Sequence, residues 1–330
     1  MSVAGTLHPD IKLITVKTES TPCTDAVPTP ALDALLVESI EFAPQFTEVD
    51  LKRMRDTHSA PGKAIGPTWY AITITAKLAG PPAGGDLDEI EVAPLLQACG
   101  LTQTDDGPSV TTYTYTQDST SANTCTIYMY IPPADGALTN WRVMKAVGCQ
   151  GSYSLSLGQG GEGLWTFEMQ GVFVPTADIA APTGTLFAHE DDHTVARGHT
   201  LTIDSQTDFI SELTINSNNT VRPVMDMAQT YGVAGFRRTI GKPTIEHNAH
   251  LQLVAGYDRE AKVLNELAST ATLVLSTVDG ADYTFTAANL QHGSFSYDSA
   301  DDVMRVNQNL YPRDTVGGSG DDSLTFTVTH

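Results

Sequence analysis

The sequence predicts a mainly β protein built as two tandem antiparallel β-sandwich or barrel-like domains, each flanked by one short α-helix. Strict alternation is the first sign: in "WYAITITAKL", Tyr70, Ile72, Ile74, Ala76 and Leu78 share one face while Thr73, Thr75 and Lys77 point away. The second is an echo between "GCQGSYSLSLGQGGEGLWTFEMQGVF" (148–173) and "LQHGSFSYDSADDVMRVNQNLY" (290–311). Each opens on Gly-Ser-aromatic-Ser, passes a polar turn and returns as a strand ending in an aromatic. The third is order: strand, long polar segment, strand, helix, strands and hairpin occur twice, which indicates an internal duplication.

Residues 1–36, broken by Pro9, Pro22, Pro28 and Pro30, read as an extended arm. The first domain is assigned to 37–175. It begins with the strand "VESIEFAPQF", followed by the polar segment 47–66 without a clean period and then the strand around Tyr70. A helix at about 88–99 follows, with acidic residues toward its start, Pro94 near its first turns and Gly100 as its stop. "TTYTYT", "CTIYMYI" and "WRVMKAVG" read as strands leading to the hairpin, in which "GQGGEG" is the turn.

A Pro/Gly/Asp-rich stretch, 176–204, reads as a linker. The second domain, 205–330, repeats the order: "DFISELTIN", the polar segment 216–234, "KPTIEHNAHLQL", a helix at about 257–268, two strands and the echoing hairpin. On that helix Ala261, Leu264 and Ala268 form the expected apolar side, adjoined by Val263 and Leu267.

A net charge of -21 repels nucleic acid and argues against a DNA binder, though not against a wall that DNA slides past. Cys23, Cys99, Cys125 and Cys149 are spaced too widely for a zinc ribbon and are read as free thiols. The first residues have neither a basic nor an apolar leader region, and no apolar run is long enough to span a membrane. The chain is expected to stay in the cytoplasm until lysis.

Motifs for chemistry are missing: no nucleophile elbow, zinc-protease signature or phosphate loop stands in the sequence. "HEDDH" (189–193) combines metal-capable side chains, but in a Gly/Pro-flanked linker it reads as solvated chain. His247 and His250 point to opposite faces of a strand, and His199 and His292 read as structural or exposed. Tyr113, Tyr115, Tyr128 and Tyr130 are assigned to core and sheet contacts; a base-stacking platform would need a basic groove. No catalytic residue, cofactor or metal is expected.

The two polar segments are long for connections in compact domains, and such loops tend to be functional. Arg53, Met54 and Arg55 in the first, and Met225, Met227 and Tyr231 in the second, are anchor-type residues that a purely solvated loop does not need.

In order and texture, "VESIEFAPQF" with its loop and "WYAITITAKLAG", the helix before "ACGL", and above all the 148–173 hairpin resemble the tail-tube, or major tail, proteins of long-tailed bacteriophages. The likeness covers about 37–175, and about 205–312 through the repeat. It implies a non-enzymatic virion tail protein, assembled in the host cytoplasm, whose rings stack into the conduit for DNA ejection. Two fused tube domains imply a trimer forming a pseudo-sixfold ring, and a hexamer otherwise. The implied partners are further copies, tail terminator, tape measure and tip proteins; DNA passes without specific binding, and no membrane is involved. The six anchor residues become ring-stacking candidates. A carbohydrate-binding or adhesion module, a head-decoration protein and a glycoside hydrolase stand as alternatives.

Overall fold

Alternation written into the strands decides the architecture, because each ladder must bury its apolar side and leave its polar side to water. The structure, a computed structural model, describes residues 7, 12–51, 62–79, 90–107, 110–134, 140–158, 161–182, 200–208, 210–254, 256–276, 282–300, 303–314 and 321–329. Its elements in chain order are β1 (Leu13–Thr18), β2 (Ala34–Leu35), β3 (Ser39–Asp50), β4 (Lys63–Lys77), α1 (Ala93–Ala98), β5 (Leu101–Asp105), β6 (Thr112–Gln117), β7 (Cys125–Ile131), β8 (Asn140–Gly158) and β9 (Leu164–Ala180). There follow β10 (Thr200–Ile203), β11 (Gln206–Asp208), β12 (Ile210–Asn216), β13 (Thr220–Met225), β14 (Val233–Thr239), β15 (Thr244–His250), α2 (Arg259–Leu264), β16 (Ala268–Ser276), β17 (Asp282–Ala300), β18 (Val303–Pro312) and β19 (Thr325–Thr329).

The pairing order is repeated. In the N-terminal set the strands lie β2-β1-β7-β8-β9-β4-β3, every pair antiparallel. The C-terminal set lies β11-β10-β16-β17-β18-β15-β12, also antiparallel. Each strand of one order matches a strand of the other, with the two helices falling at the same point, after β4 and after β15. Ladders also cross between the sets: β12 pairs the end of β8, and β19, lying against β17, pairs β6. The described strands therefore join one 17-stranded network, apart from the β13–β14 hairpin.

Several expectations change. Residues 1–36 were expected to form an arm, yet β1 lies inside the sheet with Leu13, Ile14, Thr15 and Val16 all buried. A strand buried on both faces shows no alternation, so its period is invisible in sequence. The repeated pairing order includes β1 and β10, and β9 runs on to Ala180. The strand expected at 141–148 and the first strand of the 148–173 hairpin are one strand, β8, continuous through register shifts. In the segments 47–66 and 216–234, β3 and β4 extend into the first, and β13 with the start of β14 occupies the second.

Both helices are shorter than expected, and α2 docks by a different residue. Leu264 is 80% exposed and Leu267 45%, whereas Arg259 is buried at 4%. Six residues make less than two turns, too little to carry an apolar stripe. Arg259 instead anchors a buried polar cluster. Its Nη1 donates to His247 Nε2 at 3.3 Å and to Gln308 Oε1 at 3.3 Å. Gln308 Nε2 donates to His292 Nδ1 at 3.2 Å, leaving His292 Nε2 to donate to Ser269 Oγ at 3.0 Å.

Burial, then the neighbouring Arg259 guanidinium, lowers the His247 pKa to about 3, and burial also lowers that of His292. Both histidines are thus neutral when folded but take up protons when unfolded, once the pH falls below about 6.5. Stability is full above that pH and is lost as the pH falls toward the folded values, by up to about 1.4 kcal/mol per pH unit for each histidine. Urea unfolding should give a lower midpoint at about pH 5 than at about pH 7. Replacing His247 by Gln should flatten that dependence; an unchanged slope would contradict the assignment.

The main core joins both sets. Trp165 packs within 6.2 Å of Phe285 and 6.1 Å of Phe326, and Tyr115 stacks on Phe326 at 4.4 Å between centroids. Tyr128 and Tyr130 belong to a second cluster with Leu13 and Val143. These packing positions agree with the core and sheet roles expected for the tyrosines.

Candidate functional site: a polar sheet face and its hairpins

Alternation in β3, β4, β9, β8, β12, β15, β18 and β17 places their polar side chains on one continuous face, with the core behind. One row across it reads Ser39, Thr75, Thr166, Ser154, Asn216, Thr244 in directly paired positions. Beside it run Glu41, Thr73, Glu168, Ser152 and, farther along, Ser156, Thr214, Glu246, Asn309. Glu212, Asn248, Asn307 and Ser296 form another row, and His250, Arg305 and Asp298 a further one. Behind these sit Ile72, Ile74, Phe167, Tyr153, Leu155, Leu213 and Ile215, all buried.

Across these rows the acids Glu41, Glu168, Glu212, Glu246 and Asp298 outnumber the cations Lys77 and Arg305. Lys77 is paired with Glu162 at 2.7 Å. Short hydroxyls and amides stiffen the face: Ser152 Oγ and Ser217 Oγ lie 2.9 Å apart, and Asn248 Nδ2 donates to Asn307 Oδ1 at 2.7 Å. Its depressions are shallow. One of about 220 Å³ and another of about 170 Å³ share Ser152 and Glu168 in their walls.

Two hairpins stand beside this face. The far part of β3–β4 carries Phe46, Val49 and Ile65 at 50%, 53% and 72% exposure, with Lys63 paired to Glu48. Arg53, Met54 and Arg55 fall outside the described residues, as does "HEDDH" at 189–193. The β13–β14 hairpin leaves Met225 and Met227 exposed at its tip. Tyr231 turns back: its ring meets Phe173 edge-on at 5.0 Å and its carbonyl accepts from the Thr68 amide at 2.9 Å.

Arg238 of β14 fastens this hairpin to the N-terminal set. Its Nη1 donates to the Ala98 carbonyl at the end of α1 at 2.5 Å, and its Nη2 to the Ser121 carbonyl at 2.7 Å. Asn219 Nδ2 adds a bond to the Cys99 carbonyl at 2.5 Å. Burial lowers the Arg238 pKa without removing its charge. Sequence reading missed this residue because its partners are backbone carbonyls, which leave no pattern.

All four cysteines are free thiols, and burial raises the pKa of Cys99 and Cys125 well above the ordinary value. Among the described residues no group of three or more His, Cys, Asp or Glu side chains is placed to hold a metal ion. None of the described helices is long and apolar enough to cross a membrane.

What the arrangement offers is broad surface: an acidic, hydroxyl-rich sheet face with projecting hairpins. Residues 12–329 match the family model described as phage tail tube protein. The chain belongs to that family. No individual curated protein matches it. Its match runs through both sets of strands, so neither is an appendage to a tail tube protein formed by the other. A structural role in a phage tail accounts for a molecule whose ordered polar groups bond one another across strands.

Proposed function

We propose that this tail tube protein forms rings of three chains, each supplying two tube units, and that the rings stack into a conduit for DNA ejection. The observation that carries this reading is the repeated pairing order, in which β2-β1-β7-β8-β9-β4-β3 has its counterpart in β11-β10-β16-β17-β18-β15-β12. Duplication of one unit explains the match, and three such chains give a pseudo-sixfold ring. Heterologous contacts that close by rotation make such a ring.

The polar face is the wall of the channel. Its acids repel phosphate, and its scarcity of cations keeps DNA from being held as it moves. Arg53, Met54 and Arg55 in the first polar segment and Met225 and Met227 in the second bridge stacked rings, with Tyr231 bracing the second segment against Phe173. Assembly takes place in the host cytoplasm, and terminator, tape measure and tip proteins bind the tube ends and lumen.

An electron cryo-microscopy map of assembled tubes tests this. The expected map has three chains per ring, the Glu168–Thr214–Glu246 face toward the lumen and the segments 47–66 and 216–234 at ring contacts. A map with that face outward, or with a basic inner stripe, would overturn the conduit reading. Replacing Glu168 and Glu246 with Lys should introduce phosphate contacts, each adding about 0.9 to the salt dependence of DNA retention.

A further inference from the structure

Within the chain, the C-terminal set meets the N-terminal set edge to edge: β12 extends the sheet at the end of β8, with Leu213 opposite Leu157, Thr214 opposite Ser156 and Ile215 opposite Leu155. That contact covers Leu155 completely, at 0% exposure. Its two counterparts are open. Among the described strands β3 pairs only β4, and β17 beyond His292 pairs only β18.

Registers identify which residues correspond. Tyr153, Phe167, Ile74 and Ile40 lie in one row of pairs, and Phe295, Gln308, His247 and Leu213 in the matching row. Ile40 therefore stands for Leu213, Phe42 for Ile215, and Tyr297 for Leu155. Leu155 is covered whereas Tyr297 remains 46% exposed. An open strand edge with an uncovered aromatic is a ready template for another strand.

We infer that the β3 edge of one chain pairs antiparallel with the 295–300 edge of β17 in a second copy, in the register Ile40–Ser299, Glu41–Asp298 and Phe42–Tyr297. The occupant is set by the contact already present within the chain: β3 and the end of β17 hold the places in the repeated pairing order that β12 and the end of β8 hold in that contact, but on different copies. The inference rests on the ring reading and supplies its lateral interface. Both edges are used up when the ring closes. The register also sets Glu41 against Asp298 on the polar face, so assembly should be opposed at low ionic strength and favoured as salt screens the pair.

The test is a full-length chain carrying Glu41→Cys and Asp298→Cys, oxidised after assembly. A covalent ladder ending at the closed ring is expected, with monomers from either single variant. Pairing Glu41→Cys with Ser296→Cys, two residues out of register, should give at least tenfold less product. Tubes visible by negative stain but without the Glu41–Asp298 cross-link, or with preferential cross-linking at Ser296, would overturn the interface while leaving the tube reading intact. Wild-type chains that stay monomeric under all conditions would sink both. Glu41→Lys gives an independent reading: it should shift assembly to lower salt, and an unchanged salt dependence would refute the register.

Discussion

Replacing Glu19 by Ala should destabilise the chain by on the order of 4 kcal/mol, because four donors lose one buried acceptor. Glu19, at 7% exposure, accepts from Thr124 Oγ1 at 2.6 Å, Thr126 Oγ1 at 2.7 Å, the Cys23 amide at 2.7 Å and the Gly148 amide at 2.7 Å. It closes the end of β1 onto the start of β7 and the middle of β8. Asp204 does the same after β10, accepting from Ser269 Oγ at 2.6 Å, Lys262 Nζ at 2.6 Å and the Thr270 amide at 3.0 Å, at the start of β16. Its pKa is lowered: burial works against the charge, but the bonds from Lys262 and Ser269 outweigh it.

Asp204→Ala should cost less, about 2 kcal/mol, because the site is less buried and water can replace part of the lost bonding. Urea unfolding of both variants checks the order. Glu19→Gln should fall between wild type and Glu19→Ala, since the amide keeps one acceptor oxygen but brings a donor into a ring of donors. A Glu19→Ala midpoint close to wild type would mean that the donors find water, and that the clasp is incidental.

Substituting Val for Gly151 should cost about 3 kcal/mol and abolish tube formation. A Cβ there would lie 2.2 Å from Met169 Sδ and 2.5 Å from the Glu168 carbonyl oxygen. The sulfur can swing away; the backbone carbonyl of a paired strand cannot. Gly293 has the same constraint, with Asn309 O at 2.8 Å and the Tyr311 ring at 2.3 Å. Glu168 and Asn309 both lie on the polar face, so opening either contact would distort the proposed wall as well as the fold. The Gly293→Val variant should likewise lose assembly. Assembly of both variants at wild-type yield, measured by sedimentation, would show that the paired strands yield where close packing says they should not.

Much of this was legible in the amino-acid order. The alternation of "WYAITITAKL" and of the two echoing hairpins identified strands and their buried faces, because a half-exposed strand must alternate. The close approach of Gly151 and Gly293 to a neighbouring strand's carbonyl was not read from the sequence; only the paired strands show it. The resemblance read from that texture agrees with the family match across 12–329. Other features left no local trace. β1 is covered on both faces and so lost its period, while β3 and β4 lose theirs where both faces meet solvent, as at Phe46 and Ile65. The Arg259–His247–His292 cluster and the Arg238 clamp bring together residues distant in the chain, and Glu19 finds its threonines more than a hundred positions away. Sequence alone thus determined the strand type and which side of most strands faces water, since these follow from neighbours two residues apart. Only the tertiary structure decided that β12 covers β8 while β3 and the end of β17 stay open, because which edge a strand meets depends on how whole sheets are placed.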